Sequence, residues 1–179
     1  PKPGLAKASK LCCPAIPMRI RAFQGLRPEP ANAAKVAALP YDVVSTEEAR
    51  ELAKGNPLSF LHISRAEIDL PPETNPYADE VYEQSRKNLL KLCEAGILVR
   101  ETEPCLYLYQ QRFQGHKQTG LTTVCHIEDY ENNVIKKHEK TRQAKEDDRT
   151  RLNRTLSCHP GPVFLTYRDD PSHERLYAE

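Results

Sequence analysis

The chain has 179 residues, of which 28% are charged and 39% belong to the hydrophobic class, and it contains no tryptophan. This length suffices for one domain with a real core, and no apolar run approaches the ~20 residues of a membrane span, so we expect no membrane partner. The 26 basic residues nearly balance the 25 acidic ones. This balance argues against direct nucleic-acid binding, which needs a strong basic excess or a one-sided basic patch.

The two ends of the chain differ from its middle. Residues 1–17 contain four prolines and no apolar period, and the only methionine, Met18, directly precedes the first periodic sequence. We therefore expect 1–17 to be a disordered or non-native tail, and 18–179 to form a single domain. An apolar run close to the end of the chain needs neighbours, which indicates that this domain is incomplete and is the front part of a longer protein.

The six cysteines form no C-x-x-C pair, and we find no signal-peptide pattern before them. We therefore interpret them as reduced thiols of a cytoplasmic protein. Cys125-His126 and Cys158-His159 would make a metal site only if they meet in space, because their spacing is not a zinc pattern.

The first predicted elements are strands. Met18–Phe23 alternates apolar and polar residues, which predicts a strand, and Lys35–Leu39 is a short second candidate. Arg27 precedes a proline, so its backbone is extended and its side chain is held at a strand end. Asp42 lies at the end of the P-Y-D turn that closes the second candidate strand.

A helix and a strand follow. Ser45 and Glu48 form a capping box, which predicts a helix over 46–54 with Gly55 as the residue that ends it. The S-F-L-H-I-S run at Ser59–Ser64 alternates and predicts another strand. The histidine within it is more readily explained as a half-buried strand residue than as a ligand.

The longest helix is predicted in the middle of the chain, after a loop over 65–75. Asn75 followed by Pro76 is a strong helix start, because asparagine caps the first turn and proline fits the first helical position. The apolar residues that follow keep helical spacing, which predicts a helix over 76–95 that ends at Gly96.

The last part of the chain predicts a hairpin, a helix and a final strand. Cys105–Phe113 and Thr119–Ile127 are strand candidates joined by a glycine-containing loop. Glu128–Asn133 is a short acidic helical turn, a helix spans 145–158, and Val163–Tyr167 is one more strand. Together these elements predict an α+β fold in which helices cover a mixed β-sheet.

The segment Lys136–Arg149 is the first candidate for a functional site. Its fourteen residues include six cations, four carboxylates, a histidine and a threonine, but no large apolar side chain. A surface helix normally keeps an apolar stripe, so the segment is either fully solvated or lines a polar cleft. Leu152 and Leu156 lie four apart just downstream, which predicts that a helix docks there. The mixed chemistry is what a site for phosphate, a metal ion and a proton needs.

Individual residues of this segment each have two interpretations. Glu139 is the best general-base candidate because neighbouring cations keep it ionised, but it is equally a surface glutamate paired with them. Lys145 and Arg149 share one helical face and form either a phosphate clamp or an ordinary exposed face. Asp148, with the aspartate before it, either holds Mg²⁺ or serves the helix dipole. Arg142 occupies the second histidine position of H-E-x-x-H, so the zinc-protease motif is absent.

Four ordered motifs carry a family resemblance. They are F-x-G-L-R-P at Phe23–Pro28, L-P-Y-D-V-V-S at Leu39–Ser45, N-P-L-S-F-L-H-I at Asn56–Ile63, and H-E-K-T followed by K-E-D-D-R at Lys145–Arg149. In this order they resemble the family known as domain of unknown function ten-fifteen (DUF1015). The resemblance covers the chain from Met18 to about Tyr167. Members of that family are longer than this chain.

More remotely, the chain is similar to the ParB/sulfiredoxin-like superfamily. That superfamily includes partition-type nucleotide-binding modules and free-serine kinases that phosphorylate L-serine using ADP or ATP. In those proteins a strand runs into a phosphate-handling G-H-x-R-type helix start. The position that looks equivalent is Val134–Thr141, although the glycine is missing there.

The remote resemblance implies a nucleotide-dependent phosphotransferase that acts on a small hydroxyl metabolite, with L-serine the best single guess and ADP or ATP with Mg²⁺ as cofactor. The implied roles are Glu139 as base, His138 as the group that orients the phosphoryl, Arg27, Thr141, Lys145 and Arg149 on phosphates, Asp42 and His62 on substrate, and Asp148 on the metal. Two alternatives stay open. One is a ParB-like nucleotide-binding regulatory module without turnover, and the other is a structural fragment whose active partner segment lies elsewhere in a longer protein.

Overall fold

The computed structural model describes residues 17–138 and 140–167. The predicted tail therefore lies outside the described residues apart from its last proline, and Glu139 lies outside them too. Within the described residues the helices are α1 (Ala33–Val36), α2 (Thr46–Ala53), α3 (Leu61–Ser64), α4 (Asp79–Glu94), α5 (Ile127–Glu131) and α6 (Gln143–Leu156), with 3-10 turns at Pro30–Asn32 and Ala66–Asp69. The strands are β1 (Ile20–Arg21), β2 (Leu26–Pro28), β3 (Leu98–Arg100), β4 (Tyr107–Phe113), β5 (His116–Thr122) and β6 (Val124–Cys125).

The α+β class is confirmed, but the single mixed sheet is wrong. The described strands pair as three separate two-stranded antiparallel ladders, β1 with β6, β2 with β3, and β4 with β5. The predicted hairpin is present as β4 and β5, with Phe113 opposite His116 across a tight turn. None of the described helices has both the length and the apolar character to cross a membrane.

The core forms where α4 meets α3 and α6. Along α4 the buried residues Val81, Ser85, Leu89 and Leu92 recur every three or four positions, which places them on one helical face. The main apolar cluster joins this face to residues of α1, α3, β3 and α6: Val36, Ile63, Tyr82, Leu89, Leu92, Leu98, Leu152 and Leu156. A smaller cluster of Ala49, Ala53, Leu61 and Ile68 holds α2 against the 3-10 turn.

Three predicted strands are absent. Lys35–Leu39 begins in α1, and Ser59–Ser64 contains α3, a single helical turn. Leu61 and Ile63 alternate because α3 lies between the two clusters and buries one residue in each. Val163–Tyr167 pairs with no strand in the described part of the chain, and the side chain of Val163 is 83% exposed.

The helix ends follow the predicted caps closely. The Ser45 hydroxyl accepts from the Glu48 N–H at 3.2 Å, and the Glu48 carboxylate accepts from the Ser45 N–H at 2.7 Å. Gly96 has φ +66°, the left-handed conformation that commonly follows a helix end. The start of α4 is later than predicted, because Asn75 accepts from the Tyr77 N–H at 2.9 Å and caps a separate turn.

We expect Gly25→Ala to destabilise the fold by about 1–3 kcal/mol, the range for overpacking a closed site. A Cβ at Gly25 would lie 2.6 Å from the Tyr107 hydroxyl oxygen. That hydroxyl accepts from the Gly25 N–H at 2.7 Å and donates to the Phe23 carbonyl at 3.1 Å, so a shift of Tyr107 breaks two hydrogen bonds. Urea denaturation measures the change. Gly161→Ala is the control, since nothing lies within 4 Å of its added carbon; equal effects of the two variants would contradict the packing described.

An ion pair fixes β1 against α5. Asp129 is 3% exposed, and its carboxylate accepts from the Arg19 Nε at 2.9 Å and from the Arg19 backbone N–H at 2.7 Å. The Arg19 side-chain hydrogen bonds are the main cause that holds the pKa of the Asp129 carboxyl below its usual range. The ionised carboxylate therefore stabilises the folded chain above the unfolded-state pKa of about 3.9.

The stabilisation by Asp129 is expected to disappear on acidification. Wild-type protein should have a higher melting temperature than Asp129→Asn at pH 6, and the difference should shrink as the pH falls below about 4 because the wild-type carboxylate becomes protonated. Thermal denaturation of both proteins between pH 6 and pH 3 measures this. A difference that is the same at both limits would contradict the assignment.

Candidate functional site

A polar cleft lies where α4, α6 and the segment 63–67 meet. Its charged and hydroxyl-bearing walls include Arg65, Glu67, Tyr82, Lys145, Asp148 and Arg149. We call it the α4–α6 cleft. Its volume is about 40 Å³, the space of about three water molecules at ~10–15 Å³ each. A single phosphoryl or carboxylate group fits this space, and the rest of a larger ligand would lie outside.

The docking of α6 places its polar residues in the cleft. Leu152 and Leu156 are 3% and 7% exposed and pack in the main cluster, as the four-residue spacing predicted. Asp148 lies one turn before Leu152 on the same face and is buried with it. The segment Lys136–Arg149 therefore divides: its last turn lines the cleft, whereas the described residues before α6 are exposed.

Asp148 is held by two partners. The Tyr82 hydroxyl donates to Oδ1 at 2.8 Å, and Arg149 donates from Nε and Nη2 to Oδ2 at 2.9 and 2.6 Å. Burial and then the Asp148 carboxylate raise the pKa of Tyr82 to about 12. Tyr82 consequently remains a hydrogen-bond donor at neutral pH. Asp148 in turn fixes the guanidinium of Arg149 in the cleft.

Tyr41 is the aromatic wall beside these cations. The guanidinium carbon of Arg149 lies 4.0 Å from the centre of the Tyr41 ring, and the Lys145 ammonium lies 5.7 Å from it. Both distances are within the range of a cation–π contact. Lys145 and Arg149 do share one helical face, and Tyr41 orients both toward the same space.

Arg65 and Glu67 form the opposite charged pair of the cleft. Glu67 is 5% exposed and accepts from the Thr46 hydroxyl at 3.2 Å, and its Oε1 lies 3.2 Å from the Arg65 Nε. Sequence reasoning missed both residues because it assigned them to a loop without periodicity. The available signal was their position directly after the N-P-L-S-F-L-H-I motif.

The other residues with predicted phosphate or catalytic roles lie outside the cleft. Arg27, on β2, pairs with Glu101 at a strand end. His138 and Thr141 are exposed in the irregular segment before α6, and Asp42 is exposed in the turn next to Tyr41. The predicted base Glu139 lies outside the described residues.

His62 lies in a separate hollow on the other side of α4. Its Nδ1 is 2.7 Å from the Asp69 Oδ1, and its Nε2 is 3.2 Å from the Asn56 carbonyl. Asn88 donates to the second Asp69 oxygen at 2.7 Å and to the His62 carbonyl at 2.6 Å. Both ring nitrogens of His62 therefore already have partners that tie α3 to α4, and the structure does not bring His62 to Lys145 and Arg149.

The donor set of the cleft limits how a metal ion could bind. Within residues 17–138 and 140–167, no group of three or more His, Cys, Asp or Glu side chains could hold a metal ion. Burial raises the pKa of the Cys125 and Cys158 thiols, which disfavours the thiolates that metals need. Both Asp148 oxygens already accept hydrogen bonds. The cleft therefore fits Mg²⁺ only as an ion shared with bound phosphate oxygens, which is how proteins commonly hold it.

Comparison with known proteins places the chain in a family. Searches of curated proteins and of solved structures give no match. The family model described as "Protein of unknown function (DUF1015)" matches residues 20–179, which is most of the chain and includes the α4–α6 cleft. The chain therefore belongs to the DUF1015 family.

Proposed function

We propose that the α4–α6 cleft binds a phosphoryl group, and that the chain is a nucleotide-dependent phosphotransferase which acts on a small hydroxyl metabolite. ADP or ATP is the proposed donor and L-serine the proposed acceptor. The observation that supports this most is the charge of a cleft with room for one phosphoryl group. It has three cations, Arg65, Lys145 and Arg149, against two carboxylates that are already paired.

Phosphoryl transfer depends on positioning and charge neutralisation more than on covalent chemistry by the protein. Arg149 meets this requirement because Asp148 and Tyr41 fix its guanidinium before any ligand arrives. A preoriented cation stabilises phosphate charge without having to reorganise. Mg²⁺ bound to the phosphates would add to this charge neutralisation. The ammonium of Lys145 has no acidic partner in the described part of the chain, which leaves it for the ligand.

The acceptor side of the proposal concerns the segment just before α6. There Glu139 takes the proton of the acceptor hydroxyl, His138 orients the phosphoryl group, and Thr141 contacts a phosphate. The described members of this trio are exposed, so a substrate can reach them. Arg27, Asp42 and His62 lie outside the cleft, and their proposed contacts have no support from position.

A turnover assay tests the proposed reaction. Wild-type protein incubated with ATP or ADP, Mg²⁺ and L-serine is expected to form O-phosphoserine, detected by mass spectrometry. Glu139→Gln should abolish product because a neutral amide cannot accept the proton, while nucleotide affinity stays nearly unchanged. Glu131→Gln, an exposed change on α5, is the matched control. Full activity of Glu139→Gln would remove Glu139 from the mechanism, and no product from wild type would exclude L-serine as acceptor.

A second candidate is a ParB-like nucleotide-binding regulatory module without turnover. It is favoured by the pairing of both described carboxylates of the cleft, Glu67 with Thr46 and Arg65, and Asp148 with Tyr82 and Arg149. A paired carboxylate is a poor base. Nucleotide binding with no consumption of nucleotide, whatever the acceptor, would support this candidate. An affinity for DNA that falls steeply with salt would extend it to DNA.

A further inference from the structure

We infer that Arg65 is an anion-binding residue of the α4–α6 cleft, and that its ligand is the terminal phosphoryl group of a small molecule. This inference rests on the proposed function, because it concerns the same cleft. It adds a binding residue from the opposite wall to the two cations of α6. Nothing in the spacing of charged residues along the chain singles out Arg65.

The hydrogen bonds of Arg65 are incomplete. A guanidinium has five N–H donors. The Nη2 group donates to the Val44 carbonyl at 3.0 Å and to the Thr46 hydroxyl at 3.3 Å. The Nε is buried and donates to no acceptor, since it lies 3.2 Å from the Glu67 oxygen without pointing at it. The Nη1 group has no acceptor among the described residues, which leaves its two donors for a ligand in the cleft that Arg65 lines.

Arg50 shows what a purely structural arginine looks like in this fold. Its guanidinium donates to the carbonyls that end the 3-10 turn, Ile68 at 2.6 Å and Leu70 at 3.3 Å from Nη1, and Glu67 at 3.4 Å from Nη2. Arg50 does not line the cleft. The carbonyls of the chain thus occupy both terminal nitrogens of Arg50, whereas Arg65 keeps one terminal nitrogen without an acceptor.

The surroundings of Arg65 hold it rigidly. Glu67 balances its charge and is itself fixed by the Thr46 hydroxyl, so the guanidinium cannot swing out without unpairing a buried carboxylate. Unmatched donors at a largely buried site are unfavourable until an acceptor arrives. An oxyanion with several lone pairs supplies that acceptor, and the planar guanidinium suits the two oxygens of a phosphoryl group better than a point charge would.

Two sources could supply this phosphoryl group: the terminal phosphate of a nucleotide, or the phosphate of a phosphorylated metabolite. Calorimetric titration with ADP, O-phosphoserine and inorganic phosphate separates them. Binding of ADP without O-phosphoserine assigns the site to the nucleotide, and the reverse assigns it to the metabolite. Either result supports the inference, provided that the affinity depends on Arg65.

The deciding comparison is Arg65→Lys against Arg50→Lys. Lysine keeps the charge but loses the planar pair of donors, so Arg65→Lys is expected to weaken binding of each bound probe by about tenfold or more. Arg50→Lys should keep wild-type affinity even if it lowers the melting temperature equally. If Arg65→Lys fails to fold, Thr46→Val, which removes a hydroxyl that anchors Nη2, is expected to weaken binding severalfold instead.

The outcomes separate the inference from the proposed function. Wild-type binding that Arg65→Lys, or in its place Thr46→Val, leaves unchanged overturns the role of Arg65 but keeps the cleft as a phosphate site. Equal weakening by Arg65→Lys and Arg50→Lys also overturns it, because the loss would then reflect general destabilisation. No binding of any of the three probes by wild-type protein overturns the proposed function, and the inference with it.

Discussion

Replacing Leu152 by alanine is expected to lower the free energy of unfolding by about 2–5 kcal/mol, the range for removing a buried leucine. Leu152 is 3% exposed and packs α6 against α4 in the main cluster. The same residue lines the α4–α6 cleft. The substitution therefore tests the contact that gives Asp148 and Arg149 their positions. Urea denaturation followed by circular dichroism measures it.

Leu90→Ala is the matched control for this substitution. Leu90 lies on α4, but its side chain is 43% exposed. Its loss is expected to cost well under half as much, since little buried surface disappears and little cavity forms. Equal destabilisation by the two substitutions, or none by Leu152→Ala, would mean that α6 does not dock on α4 as described.

Arg149→Ala is expected to weaken binding of a phosphate-bearing ligand by about 10- to 100-fold, since a hydrogen bond to a charged group contributes roughly 1.5–3 kcal/mol. The variant also leaves Asp148 in the cleft without its cationic partner, so a carboxylate then faces the incoming phosphate. Both effects act in the same direction. Calorimetric titration of wild type and variant with ADP measures the loss.

Arg154→Ala is the control for Arg149→Ala, because it removes the same charge from an exposed position near the end of α6. It keeps net charge equal between the two variants, so a nonspecific electrostatic effect would appear in both. Equal weakening by the two variants would place the phosphate outside the cleft.

Local signals in the sequence predicted the long helices well. The capping box at Ser45 and the glycines at 55 and 96 act through their immediate neighbours, so their effect needs no knowledge of the rest of the fold. The 3.6-residue period of α4 is long enough to exclude a strand. These elements are also the ones that position the cleft.

The short elements could not be predicted from their pattern. A single helical turn such as α3 has too few residues to show a period, and its alternating burial arises from two separate clusters that only the tertiary fold creates. The pairing of β2 with β3 joins segments about 70 residues apart, and no local feature of either segment encodes it.

The candidate site was predicted in part. The sequence indicated Lys145, Asp148 and Arg149 because their charges are close together on one predicted helix. It could not indicate Arg65 or Glu67, since tertiary packing alone brings their wall to α6. It included Arg27 and His62 because motif membership does not show whether a side chain faces the cleft, a partner such as Glu101, or a different hollow.

The most direct test of the central claim is calorimetric titration of this chain with ADP and with inorganic phosphate, each with and without Mg²⁺. The α4–α6 cleft is predicted to bind ADP, and inorganic phosphate is predicted to compete for the same site, because one phosphoryl group fills the space beside Lys145 and Arg149. No heat of binding with ADP or phosphate under either condition would contradict the claim that this cleft is a phosphate site.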